Sequence, residues 1–183
     1  MRRRPKGFAR PARRAVVLDP LADLSRADLG AVLYAARQYG EAASGYAEVL
    51  SLNPGYAAGY GKRGLALLAL GDLAGARAVC ASKPDYWVSM QCLAVVYEKL
   101  GRHADAQAEL AKMQAMDGDA AAYQYATIYA QWGDRAKALA WLDTAMRVRD
   151  PGLEYLRSDP LMDPLRQEPR FKADLRELNF PTD

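Results

Sequence analysis

Between residues 23 and 148 apolar side chains recur every three or four positions and are broken at intervals by short polar stretches, a helical rather than a strand pattern. In ADLSRADLGAVLYAARQYGEAASGYAEVLSLNP (residues 22–54) two such apolar-periodic stretches flank a polar break near Gln38. The spacing predicts a helix, a turn and a second helix. The end of this segment, YAEVLSLNP (46–54), echoes ARRAVVLDP (12–20): both close in Leu-Asx-Pro, and Pro20 and Pro54 lie 34 residues apart. Self-similarity at that period marks a repeat architecture, in which one helical hairpin cannot bury its apolar face alone.

Three further copies follow: AAGYGKRGLALLALGDLAGARAVCASKP (57–84), WVSMQCLAVVYEKLGRHADAQAELAKMQAMDG (87–118) and DAAAYQYATIYAQWGDRAKALAWLDTAMRVRD (119–150). Their turns LGDL, LGRH and WGDR recur with Gly71, Gly101 and Gly133 spaced 30 and 32 apart, and such glycines supply the left-handed conformation that ends a helix. The second copy reaches Pro84 early, so its second helix is short.

These residues resemble the tetratricopeptide repeat. Taking Asp23 as the first repeat position, the pattern is met at Leu29, Gly30, Leu33, Ala42, Tyr46 and Pro54, with departures at Arg26 and Val49. The second copy meets it at Tyr60, Gly64, Leu67, Gly71 and Ala76, the third at Leu93, Ala94, Tyr97, Ala106 and Leu110, and the fourth at Tyr125, Ala126, Tyr129, Ala138 and Leu142. The resemblance implies an all-α fold: an α-α superhelix, or solenoid, of about four helix-turn-helix repeats over residues 15–150. Residues 15–20 fit the tail of a preceding repeat, and 151–183 resemble the capping segment that closes such arrays in bacterial proteins. Small residues at Gly30, Gly64, Ala94 and Ala126 are expected to face Ala42, Ala76, Ala106 and Ala138 and let paired helices approach closely.

In that closing segment the acids Asp159, Asp163 and Glu168 each precede a proline. An acid followed by proline reads as a helix start, with the acid at the N-cap and proline at the first helical position. Phe171, Leu175 and Leu178 then form one apolar stripe on a final helix. Capping is preferred to a carboxylate metal site, which needs several converging oxygens.

The resemblance also implies a concave groove for a peptide, lined by first-helix positions. These are Ala27, Ala31 and Tyr34 in the first copy, and Gly61, Leu65 and Leu68 in the second. Gln91, Val95 and Glu98 follow in the third, and Tyr123, Thr127 and Gln131 in the fourth. The lining is small, apolar and aromatic, which suits an amphipathic helix or an apolar extended segment. No lysine and asparagine clamp for a C-terminal carboxylate stands at those positions. The expected role is therefore a non-enzymatic protein-interaction scaffold. The alternatives are a regulatory or sensor fragment of a larger bacterial regulator, and a self-associating module whose groove is filled by its own end or a second copy.

Charge adds one feature. The net charge of +3 conceals a basic arm at residues 1–14 with Arg2, Arg3, Arg4, Lys6, Arg10, Arg13 and Arg14, which leaves 18 bases against 22 acids in the remainder. The arm raises a further alternative, an adaptor touching nucleic acid or anionic lipid through this basic stretch. Candidate chemistry is sparse. The chain has one histidine, His103, at an expected helix start, and two cysteines, Cys80 and Cys92, read as small buried residues. No phosphate loop is present, since Lys62 is followed by Arg63 rather than Ser or Thr. No catalytic residue, cofactor or metal is expected. The arginines are followed only by Ala15-Val16-Val17-Leu18 before Asp19, too short for a secretory apolar core, so the expectation is a cytoplasmic protein without a membrane span.

Overall fold

The computed structural model describes residues 23–181, with side chains from residue 26 onward; the basic arm and the segment 15–20 lie outside the described residues. Among the described residues every regular element is helical and no strand occurs. No helix there is long and apolar enough to cross a membrane. The chain divides into two compact units, residues 1–96 and 97–183.

In the first unit α1 (Asp23–Ala35), α2 (Tyr39–Leu52), α3 (Ala57–Ala69) and α4 (Leu73–Cys80) pack in succession, each on the next. They are followed by α5 (Trp87–Lys99), whose last residues, 97–99, belong to the second unit. Leu33 of α1, Ala42, Ala43 and Tyr46 of α2, and Ala66 of α3 form one apolar cluster, with Leu29, Tyr34 and Leu67 against it. Gly30 explains how α1 and α2 come so close. A Cβ there would meet the Tyr46 ring at 2.8 Å, so the helix accepts a residue that costs about 1 kcal/mol in propensity. The small residue at position 30 thus faces Tyr46, where the repeat pattern placed Ala42 opposite it.

The second unit holds α6 (His103–Asp117), α7 (Ala122–Trp132) and α8 (Arg135–Val148), then 3-10 helices at Pro151–Tyr155 and Pro160–Leu165, and α9 (Pro169–Glu177). Its core joins Ala126 and Ala130 of α7, Ala138, Leu142 and Ala145 of α8, and Leu153, Leu156, Met162, Leu165, Phe171 and Leu175 of the closing segment. Phe171 and Leu175 are buried and Leu178 packs beside them, so the expected stripe is the face of α9 that meets the core.

One turn recurs at the end of each first helix. The backbone N–H of Gln38 reaches back to Leu33 O at 2.8 Å, Asp72 to Leu67 at 3.0 Å, Arg102 to Tyr97 at 2.8 Å and Asp134 to Tyr129 at 3.0 Å. This is the six-to-one closure of a Schellman cap, and it needs a left-handed residue just before the donor. Gly71, Gly101 and Gly133 supply it with φ of +84°, +72° and +84°, while Arg37 does so in the first hairpin at +64°. The same closure, with Arg149 at +56°, ends α8.

The acids before proline behave unequally. Asp159 caps its 3-10 helix, Oδ1 accepting from Leu161 N at 2.8 Å. Asp163 starts no new helix: it lies inside that same helix and pairs with Arg166. Glu168 stands at the N-cap of α9 ahead of Pro169 but makes no side-chain cap bond, and instead meets Arg135 at 3.0 Å. Proline at the first helical position gives up no bond, because that N–H lacks an intrahelical partner anyway. A fourth acid-proline pair, Asp150-Pro151, supplies the one buried carboxylate of the four.

Candidate functional site

The first-helix positions predicted to line a peptide groove are mostly interior. In the first unit Ala27, Gly61, Leu65, Leu68, Gln91 and Val95 are buried, and only Ala31 and Tyr34 are partly open. Gly61 shows why. A Cβ at that position would lie 2.5 Å from the carbonyl carbon of Val88, so α3 and α5 touch backbone to backbone there. Leu65 and Leu68 therefore serve packing, and Tyr34 lies against Tyr39 with ring centroids 5.6 Å apart.

In the second unit Tyr123 and Thr127 are buried, Gln131 and Glu98 half-buried. The face of α7 carrying Tyr123 and Gln131 is covered by the chain's own closing segment. The Tyr123 hydroxyl donates to Asp159 Oδ2 at 3.0 Å, and Gln131 Nε2 donates to the carbonyl of Leu161 at 2.8 Å. Gly152 lies so close under the Tyr123 ring that a Cβ would meet it at 2.5 Å. Thr127 donates to the carbonyl of Gln124 within its own helix. Glu98 sits 2.8 Å from His103 Nδ1, and the imidazole is largely exposed at the first turn of α6.

Asp150 anchors this arrangement. Only 5% exposed, it accepts from Tyr123 N through Oδ2 at 2.9 Å and from Gly152 N through Oδ1 at 2.7 Å. The acid-proline signal was visible at this position as at the other three, but the partner N–H of Tyr123 lies 27 residues away.

The cysteines are buried as expected, and they are also joined: a disulfide links Cys80 at the end of α4 to Cys92 in α5, with Cα atoms 6.4 Å apart. Gly64 of α3 leaves the space. A Cβ on residue 64 would fall on Sγ of Cys80 and come within 2.7 Å of Sγ of Cys92.

An open cleft lies between α1 and α2. Leu29 and Leu33 form its apolar side, and α2 presents Gly40, Glu41, Ser44, Gly45 and Glu48. Arg26 crosses its edge to Glu48 at 2.7 Å. A Cβ added at Gly40 or Gly45 would meet nothing within 4 Å, so the backbone of α2 is bare at both.

Among the described residues no group of three or more His, Cys, Asp or Glu side chains is placed to hold a metal ion. Of the ionisable groups displaced by their surroundings, two are partly buried. Burial pushes the Tyr125 phenol up to about 12, with Asp117 and Asp119 adding to the effect, and its hydroxyl donates to the carbonyl of Gly118 at 2.9 Å. Burial also raises Asp174 on α9; Asp143 and Glu177 push the same way and Arg170 opposes them. No protein-family model matches the chain, and no curated protein matches it closely enough to count as a relative.

Proposed function

We propose that the chain is a non-enzymatic protein-interaction scaffold built from tetratricopeptide-like hairpins, and that it holds an amphipathic helical segment of a partner protein in the α1–α2 cleft. The cleft carries this reading: leucines on one side, a bare glycine backbone that permits close approach, and Glu41 and Glu48 on the rim. A helix laid there buries its apolar face on Leu29 and on the bare backbone at Gly40 and Gly45, and sets lysine or arginine near the acids. The repeated six-to-one turn supports the hairpin register on which the resemblance rests.

This moves the binding surface away from the buried first-helix positions. A charge at Leu65 or Tyr123 would now test folding rather than binding, since both are interior. Gly45→Trp is the better probe, because it fills the cleft from a position with free space and replaces a poor helix former. Crosslinked co-purification of the full chain from its native cell should recover a partner that Gly45→Trp and Glu41→Lys lose, with both variants still folded at the assay temperature. Retention of the same partner by both variants would remove the cleft from consideration. A dimer dispersed by Gly45→Trp would instead identify a second copy as the occupant.

The reading through the basic arm makes a different prediction: binding to nucleic acid that weakens steeply with salt and vanishes when residues 1–14 are deleted.

A further inference from the structure

We infer that the Cys80–Cys92 disulfide is a structural staple which must be made before the first unit closes, and that the protein therefore works in an oxidising compartment. The inference starts from access. Both cysteines are fully buried, and Gly64 packs directly over the two sulfurs. Thiol–disulfide exchange needs a thiolate to attack along the line of an existing S–S bond, and a folded chain offers no such approach here.

The local structure shows when the bond can be made. Cys80 is the last residue of α4, and residues 81–85 between it and α5 are exposed and lack regular secondary structure. The two cysteines are only 12 residues apart. They can therefore meet while α3 is still undocked, and α3 then lays Gly64 over the finished bond. A short loop costs little entropy to close and gives a modest, lasting gain once closed.

The reaction balances with a disulfide of a protein oxidoreductase or a small thiol as oxidant. The thiolate of one cysteine attacks that disulfide and releases one thiol; the second cysteine displaces the other. Two protein thiols lose two electrons and two protons, and one external disulfide becomes two thiols. Disulfides of this buried, structural kind persist in oxidising compartments and are rare where glutathione and thioredoxin keep thiols reduced. The bond thus argues against the cytoplasmic location expected from the residues after the arginines.

Alkylation in the native cell, with thiols quenched by acid and blocked by N-ethylmaleimide before lysis, tests the compartment. The full chain should take up no label until a reductant is added after denaturation; label on both cysteines without reductant would overturn the inference. The order of events is tested on the purified oxidised chain. Dithiothreitol should reduce it far more slowly in buffer than in urea, and equal rates would overturn the early-formation argument. Gly64→Ala should still form the bond during oxidative folding but lose its protection, so that dithiothreitol reduces it readily in buffer, because α3 can no longer close over the sulfurs. Because that variant can fail to fold, the Cys80→Ala, Cys92→Ala chain gives an independent reading: its Tm should fall by about 5–10 °C. An unchanged Tm would show that the bond staples nothing.

Discussion

The phenol of Tyr123 donates to Asp159 Oδ2 at 3.0 Å, while the backbone N–H of the same residue donates to Asp150 Oδ2 at 2.9 Å. One residue at the start of α7 is thus tied at both ends to the segment that closes the second unit. Tyr123→Phe keeps the ring against Gly152 and removes the bond to Asp159. Unfolding in urea should show a loss of about 1 kcal/mol with an unchanged m-value.

Asp150 carries more of the load. Its removal leaves the N–H groups of Tyr123 and Gly152 without their acceptor at a site closed to water. Asp150→Ala should cost about 2–4 kcal/mol by the same measurement, clearly more than Tyr123→Phe. Equal costs would mean that water or another acceptor replaces the carboxylate.

Asp174 should make stability depend on pH in a defined direction. Its carboxyl is raised above the ordinary aspartate value, chiefly by burial and then by Asp143, and Oδ2 has no hydrogen-bond partner. The folded state therefore holds this proton more tightly than the unfolded chain. Stability falls as pH rises from the unfolded aspartate value through the folded one, and stays lower above it. Asp174→Asn should raise Tm at neutral pH and leave it nearly unchanged at a pH below the unfolded value. The removal of an acid near the C-terminus of α9 acts in the same sense.

Arg149 is held at φ +56° with its side chain exposed, a conformation that glycine adopts without steric cost. Arg149→Gly should stabilise the chain by about 0.5–1 kcal/mol, the relief of strain outweighing the added freedom of the unfolded state. A thermal melt that moved down would show that the side chain contributes more than its exposure suggests.

The helices and their turns were legible because helical periodicity and left-handed glycine both leave local traces. Gly71, Gly101 and Gly133 announce their conformation; Arg37 adopts nearly the same one with no such residue to announce it. The groove was not legible in the same way. Spacing identifies which face of a helix Leu65 or Tyr123 occupies, but what covers that face depends on residues such as Val88 and Asp159, well separated along the chain. The disulfide was hidden for a related reason. Two cysteines in one chain are as compatible with separate burial as with pairing, and the deciding feature, the missing Cβ at Gly64, belongs to a third helix. The cleft between α1 and α2 emerges only once Leu29 and Gly45 are placed on facing helices.

Hairpins that stack through apolar faces share a hazard with exposed strand edges: the last face can recruit the first face of another molecule, and such head-to-tail contacts propagate into filaments unless something terminates them. In the second unit Leu153, Leu156, Met162, Leu165 and Phe171 already occupy the apolar surface of α7 and α8. Another hairpin could join there only by evicting a buried, hydrogen-bonded segment anchored on Asp150. The closing segment thus leaves this surface of the second unit already covered, with no bare apolar face for another hairpin to meet there.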